Sequence, residues 1–221
     1  MLALNDIRKS YQVGPTEVDV LRGVNLTVED GQMISITGPS GCGKSTLMNI
    51  IGLLDRPTSG SYAIDGAEVE YTHDDALSDI RNLRIGFVFQ QYHLLSKLTA
   101  LENVGIPLVY RGADNNTMKE RGMEVLRRVG MDGRADHLPS EMSGGQQQRI
   151  AIARALVGSP SLILADEPTG ALDTKVGQEI MELFVRLNLD EKMTIVMITH
   201  DPKIARQCPR VAQMNDGVIV E

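Results

Sequence analysis

Three observations predict an α/β fold in which a parallel sheet is interrupted by a helical lobe. The apolar run Met33-Ile34-Ser35-Ile36-Thr37 passes through a glycine-rich turn straight into Leu47-Met48-Asn49-Ile50-Ile51, a strand–turn–helix pattern. Two later runs, Leu162-Ile163-Leu164-Ala165 and Met193-Thr194-Ile195-Val196-Met197-Ile198-Thr199, are continuous in the way of buried strands and are separated by a helical stripe. Between the two halves, residues 92–158 are mainly helical in pattern. Strands alternating with helices call for a layered α/β core.

In chain order, Leu2-Ala3-Leu4-Asn5-Asp6-Ile7 and Val18-Asp19-Val20-Leu21 read as strands. Val24, Leu26 and Val28 alternate with polar residues, the pattern of a half-buried strand. Glu29-Asp30-Gly31-Gln32 is a turn signal before the strand at Met33. Pro57-Thr58-Ser59-Gly60 breaks the chain after the first helix, and Ser61-Tyr62-Ala63-Ile64-Asp65-Gly66 is a short strand with a turn. Ile85-Gly86-Phe87-Val88-Phe89-Gln90 is another buried-type strand. In the lobe, Met118, Gly122, Val125, Leu126 and Val129 recur at helical spacing, with Gly130 placed to stop the helix. A second lobe helix runs over residues 146–156 and ends at Gly158-Ser159-Pro160. Val176, Ile180, Leu183, Phe184 and Leu187 form a regular stripe, and residues 212–220 form a terminal hairpin.

The bulk properties exclude several classes. At 42% hydrophobic and 23% charged residues the chain is globular, and 221 residues bury a sizeable core without disulfides. The formal net charge of −7 lacks the basic footprint of a nucleic-acid binder. No apolar run reaches the length of a membrane span, and the N-terminus lacks signal-peptide character. The two cysteines, Cys42 and Cys208, form no framework and point to a reducing compartment.

The turn after Thr37 carries chemistry. Gly38-Pro39-Ser40-Gly41-Cys42-Gly43-Lys44-Ser45-Thr46 fits G-x-x-x-x-G-K-[ST], with a strand before it and a helix after it. Backbone N–H groups and the helix dipole converge there on negative charge, so Ser40, Gly41, Cys42, Gly43, Lys44, Ser45 and Thr46 are the expected phosphate cradle of a nucleoside triphosphate. Lys44 is placed to reach the β- and γ-phosphates, and Ser45 to ligate Mg²⁺. Cys42, at a helix N-terminus where thiol pKa values fall, reads mainly as a small residue filling a permissive position.

A second acidic element follows the buried strand at 162–165. Neighbouring side chains on a strand point to opposite faces, so Asp166 and Glu167 are expected to have different jobs: Asp166 in the Mg²⁺ shell, Glu167 at the Pro168 bend polarising a water. Ser143-Gly144-Gly145-Gln146 opens the second lobe helix with an N-cap serine and exposed N–H groups, making a second anion-binding terminus.

Met142-Ser143-Gly144-Gly145-Gln146-Gln147-Gln148-Arg149 resembles the signature motif of the ATP-binding-cassette (ABC) ATPases. The remaining family motifs occur in the family's order and cover nearly the whole chain. The resemblance implies a P-loop NTPase nucleotide-binding domain with an antiparallel β subdomain and an inserted helical subdomain: 1–91 and 159–221 as the core, 92–158 as the signature lobe. It implies ATP and Mg²⁺ as cofactors. Tyr11 matches the aromatic that stacks on adenine, Gln90 the glutamine-loop residue that contacts Mg²⁺ and water, and His200 the switch histidine on the γ-phosphate. Ala171-Leu172-Asp173 resembles the loop that crosses the family's dimer interface. The signature of one subunit, here Ser143, Gly144, Gly145 and Gln146, is expected to close over ATP held by another. Met142 stands where the family usually has Leu, and Cys42 where Ser or Ala is more usual; Met preserves the apolar volume.

Residues 47–55, 91–96, 98–104 and 167–173 are similar to the MacB/LolD-type branch of macrolide exporters and lipoprotein-release ATPases. That resemblance implies a homodimer of ATPase domains, a membrane permease partner (separate or fused), and a place on the cytoplasmic face of the bacterial cell membrane. An FtsE-like regulatory ATPase shares these motifs. Translation-type members carry two cassettes and DNA-repair members a long coiled coil, and neither feature is present here. The chain stops just after its last expected strand, which suits either a free-standing subunit or a cassette from a fused exporter.

Overall fold

A long antiparallel hairpin, β1 (Leu2–Val13) and β2 (Thr16–Val28), opens the chain of this computed structural model, which describes residues 1–71 and 73–220. Thr72 and Glu221, both within the expected 1–221 domain, lie outside the described residues. Both strands outrun their apolar signals. The two stretches expected separately, 18–21 and 24–28, are one strand, because pairing to β1 continues from Leu2↔Val28 to Val13↔Thr16. β4 (Ser59–Ile64) joins the free edge of β1, and β5 (Ala67–Glu68) completes a four-stranded antiparallel sheet, β2-β1-β4-β5.

The second sheet has six strands in the order β10-β9-β3-β8-β7-β6. β3 (Met33–Thr37), β6 (Ile85–Phe89), β7 (Leu162–Asp166), β8 (Thr194–Ile198) and β9 (Arg210–Asn215) run parallel, and β10 (Val218–Val220) folds back antiparallel on β9. Alternate residues feed two cores. Met33, Ile163, Ala165, Ile195 and Met197 belong to one, while Ile34, Ile36, Leu162, Leu164, Val196 and Ile198 belong to the other. Burial on both faces is why these strands read as unbroken apolar runs.

α1 (Lys44–Ile51) buries Leu47, Met48, Ile50 and Ile51 between the two sheets. α2 (Asp74–Arg84) is a helix the sequence reading passed over: its apolar face is narrow, with Leu77 buried and Ile80 packed beside it. Its signal is charge instead, with Asp74 and Asp75 in the first turn and Arg81 and Arg84 in the last, as the helix dipole favours.

α3 (Ala100–Val109), α4 (Asn115–Arg128) and α5 (Gly144–Leu156) form the lobe. The first residues of the expected helical region are irregular, because the helix waits for Thr99, whose capping box with Glu102 starts α3. α4 stops as expected, with Gly130 at φ 72°. α6 (Thr174–Glu191) and α7 (Pro202–Ala205) return the chain to the sheet.

α5 is buried on most sides, through Ile150, Ala151, Ile152, Ala153, Ala155 and Leu156, and lies directly on β6. Gly86 makes that approach possible, since a Cβ there would sit 2.5 Å from the Ala155 carbonyl oxygen. The opposing atom is backbone and cannot yield. Gly86→Val is therefore expected to lower stability by at least about 1–3 kcal/mol through overpacking. Urea unfolding checks this, and a midpoint equal to the parent's contradicts it.

Candidate active site

The strand ends of the parallel sheet carry the site. β3 ends at Thr37, the loop turns, and α1 begins at Lys44 with Gly43 (φ 107°) at its N-cap and no side-chain cap on its first N–H groups. The loop is pressed onto the strands beside it. A Cβ on Gly38 would lie 2.2 Å from the Met214 carbonyl oxygen of β9, and one on Gly43 would meet Met214 Cε at 2.9 Å and Leu21 Cδ2 at 3.0 Å. Only glycine fits either position, which is why the motif needs both. Lys44 Nζ donates to the carbonyls of Gly38 (2.8 Å) and Pro39 (2.9 Å), so the ammonium curls over the loop. Ser40, Gly41 and Ser45 are exposed and Thr46 half-buried. Cys42 is turned the other way: its side chain is buried and its carbonyl accepts from Gly217 N–H at 3.1 Å. It fills space beneath the loop, as a small residue in that position should.

Asp166 is the last residue of β7, and Glu167 follows in a left-handed conformation (φ 46°). A non-glycine residue there is strained and persists only when its surroundings hold it. Glu167 N–H donates to the Ile198 carbonyl at 2.9 Å. Its Oε2 accepts from Thr199 Oγ1 at 3.2 Å, and its Oε1 accepts from the His200 backbone N–H at 2.8 Å and His200 Nδ1 at 2.6 Å. An ionised carboxylate only accepts, so Nδ1 carries the proton in this contact. The His200 ring is 69% exposed, whereas Glu167 is 16% exposed. Burial pushes the Asp166 carboxyl above its ordinary pKa; the Glu167 charge pushes the same way and Lys44 opposes both. The electrostatics thus bring Lys44, Asp166 and Glu167 within range of one another, and hydrogen bonds add His200.

Gln90 follows β6 and lies against Gly170, where a Cβ would be 2.8 Å from Gln90 Nε2. Ser143 is exposed at the N-cap of α5, with its hydroxyl accepting from Gln146 N–H and Gln146 Oε1 accepting from Ser143 N–H. Gly144 and Gly145 seat this terminus. A Cβ on Gly144 would lie 2.7 Å from Tyr92 Oη, and one on Gly145 would lie 2.3 Å from Val176 Cγ1. The same Cβ on Gly144 would lie 3.4 Å from Leu172 Cδ2, so the expected interface loop runs beside the signature helix. Asp173 caps α6 through the N–H groups of Lys175 and Val176. Met142 is buried in the lobe core, in keeping with an apolar replacement for Leu.

Two residues the sequence reading did not single out bind these parts together. Gln148 on α5 is fully buried, and its Nε2 donates to the Pro168 carbonyl at 2.8 Å, tying the signature helix to the bend after Glu167. Arg154 donates to the carbonyls of His93 (2.6 Å) and Tyr92 (2.8 Å), bracing the segment after Gln90.

Tyr11 lies on β1 with its hydroxyl donated to Asp55 Oδ2 at 2.6 Å and the Lys9 ammonium 4.8 Å from its ring centroid. Burial raises the Tyr11 pKa, and Asp55 adds to this, keeping the hydroxyl a donor. The sequence reading met Asp55 only as the last residue of the branch-similar segment 47–55 and did not name Lys9; a strand pattern and a helix-end position cannot mark the two as partners.

Residues 21–170 match the ABC transporter family model. The chain belongs to the ABC transporter family. It is an ABC-type ATPase domain. It is 53% identical over 220 residues to the uncharacterized ABC transporter ATP-binding protein YvrO of Bacillus subtilis, covering 100% of this chain and 96% of that protein. It is 48% identical over 220 residues to the macrolide export ATP-binding/permease protein MacB of Escherichia coli strain K12, covering 100% of this chain but 34% of MacB. Among solved structures, the ATP-binding cassette MJ0796, a dimer in a post-hydrolysis state with ADP and Pi, superposes with a TM-score of 0.90 at 45% identity, over 100% of this chain and 97% of that one.

The cassette's donor set suits a magnesium ion. The Ser45 hydroxyl, the Asp166 carboxylate and the Gln90 side-chain carbonyl are hard oxygen donors. Among the described residues no group of three or more His, Cys, Asp or Glu side chains could cage a metal. One carboxylate with neutral oxygens fits Mg²⁺, which keeps waters and relies on substrate phosphates.

The net environment of Asp166 disfavours its charge in the nucleotide-free protein. Asp166→Asn is therefore expected to melt above the parent at neutral pH without nucleotide or magnesium, while its ATP hydrolysis drops to background. Scanning fluorimetry and phosphate release check the two halves; a lower melting temperature contradicts the electrostatic account.

Proposed function

We propose that this chain is the ATP-hydrolysing half of a homodimer that drives a MacB/LolD-like membrane permease. The nucleotide core is 1–91 with 159–221, and the signature lobe is 92–158. ATP rests on residues 40–46, with Lys44 on its β- and γ-phosphates and Tyr11 against the base. Ser45, Asp166 and Gln90 hold Mg²⁺, which when bound neutralises developing charge on the phosphates. Glu167 orients and activates the attacking water, and His200 reaches the γ-phosphate from the exposed side of its ring. Ser143, Gly144, Gly145 and Gln146 of the second copy close over the same phosphates with the N–H groups of α5.

The convergence of Lys44, Asp166, Glu167 and His200 at adjoining strand ends carries this reading. The post-hydrolysis dimer of a cassette 45% identical supports it. Charge-assisted hydrogen bonds are worth about 1.5–3 kcal/mol each, so two at each of two sites supply roughly 6–12 kcal/mol before ordering costs. Loss of the γ-phosphate removes them, and the dimer opens.

A groove of about 780 Å³ between core and lobe supports a permease partner. Leu54, Phe87, Phe89, Pro107 and Tyr110 line it, with Arg154 at its wall. Tyr110 is 81% exposed there, an apolar surface of the kind a partner covers. The permease-bearing MacB chain supports the same assignment. No helix of the described residues is long and apolar enough to cross a membrane. The proposed place of the domain is the cytoplasmic face of the bacterial cell membrane, attached through the permease. Substrates of the macrolide, peptide or lipoprotein type follow from that branch.

Glu167→Gln removes the general base while keeping the shape of the side chain. It is expected to bind ATP, to form an ATP-dependent dimer in sedimentation, and to hydrolyse about 10²–10⁴-fold more slowly. A variant that stays monomeric with saturating ATP would falsify the dimer reading.

A further inference from the structure

We infer that Lys9 and Asp55 are positioning residues for the nucleotide base: together they lock Tyr11 so that an ammonium closes one ring face and the other is presented to the base. The inference rests on Tyr11 being the base-stacking aromatic and adds the device that makes it a rigid platform.

The contacts form a closed circuit. Lys9 Nζ donates to Asp55 Oδ1 at 2.7 Å and to the Arg56 carbonyl at 2.6 Å, and lies 4.8 Å from the Tyr11 ring centroid. Asp55 Oδ1 also accepts from Arg56 N–H at 2.7 Å, and Oδ2 accepts the Tyr11 hydroxyl at 2.6 Å. Burial alone would raise the Asp55 pKa, but Lys9, Tyr11 and the Arg56 N–H outweigh it and hold the carboxyl below its ordinary value. Lys9 is 12% exposed and Asp55 29%, so the pair is less screened than a surface ion pair. A cation within about 6 Å of an aromatic centroid is attracted by the ring's quadrupole, and together with the hydroxyl bond to Asp55 this orients the ring.

The anchor is joined to the phosphate cradle. Leu54 and Asp55 N–H groups both donate to the Asn49 carbonyl, at 2.8 and 3.2 Å, which fastens the Asp55 segment to α1. α1 is the helix whose N-terminus forms the phosphate loop, so the Asp55 segment is tied to that loop through α1. Tyr11, on a different sheet, is thus registered against the triphosphate site by Asp55. With its hydroxyl engaged by Asp55, Tyr11 offers the nucleotide a flat face, so recognition of the base is by stacking.

A purely structural staple between β1 and α1 would weaken every ligand of the loop alike. A platform affects only ligands that carry a base. The test is titration calorimetry with magnesium-free ATP and with inorganic tripolyphosphate, on the full chain and on Tyr11→Ala, Asp55→Ala, Lys9→Met and the Asp55→Ala/Tyr11→Ala double variant. Tyr11→Ala is expected to weaken ATP about tenfold, the scale of one base–aromatic stack. Asp55→Ala and Lys9→Met are each expected to weaken ATP about three- to tenfold, the scale of a partly desolvated cation–π contact. Tripolyphosphate affinity stays at the parental value, and the double variant binds ATP no more weakly than Tyr11→Ala alone. Equal weakening of both ligands, a further loss in the double variant, or parental ATP affinity in Asp55→Ala and Lys9→Met overturns the inference while leaving Tyr11 stacking intact. Parental ATP affinity in Tyr11→Ala overturns the stacking reading and the inference with it. If Asp55→Ala does not fold, Lys9→Met and its double with Tyr11→Ala decide the matter by the same criteria.

Discussion

Burial of the parallel sheet on both faces is the constraint on which the candidate site depends. Ile34, Ile36, Leu162, Leu164, Val196 and Ile198 point into one core and Met33, Ile163, Ala165, Ile195 and Met197 into the other, so no strand can slip by one residue without exchanging its two faces. The register that follows sets Asp166 opposite Ile198 and runs β3 alongside β8. The phosphate loop leaves β3, the two carboxylates leave β7, and Thr199-His200 leaves β8, all at the same edge. Open α/β sheets bind ligands at that edge because the strands all deliver their C-terminal loops there.

Around this rigid edge the backbone is held in costly shapes. Glu167 is left-handed, and the bonds from Thr199, His200 and the Ile198 carbonyl hold it there. Gly38 is fixed by the Met214 carbonyl, which leaves no room for a Cβ. A strained residue sustained by its neighbours is preorganised: its side chain does not have to search for its position when a ligand arrives. His200 differs from Glu167 in being mostly exposed, so one member of the pair can move while the other stays.

The lobe is connected to this edge by polar contacts that bridge long stretches of chain. Gln148 reaches the carbonyl just after Glu167, and Arg154 holds the backbone just after Gln90. A shift of α5 therefore pulls on both sides of the candidate site. The glycines of the signature, read in the sequence as exposing N–H groups, also let α5 approach Tyr92 and Val176. Pattern reading found the first role, because an N-cap and its glycines are local. The second depends on side chains that come from other parts of the chain.

By itself the sequence determined what is local. The strand, glycine turn and helix at 33–51, the acidic strand end at Asp166-Glu167 and the capped terminus at Ser143 are each set by neighbours a few residues apart, where backbone sterics and hydrogen bonding act. α2 escaped because its burial is slight, and the reach of β1 and β2 escaped because pairing, not hydrophobic pattern, sustains their outer halves. Only the tertiary structure decided that Glu167 meets His200, that Gln148 meets Pro168, and that Lys9 and Asp55 both meet Tyr11. Those contacts require the ends of separate elements to be brought to a few ångströms, and sheet register and core packing make that choice.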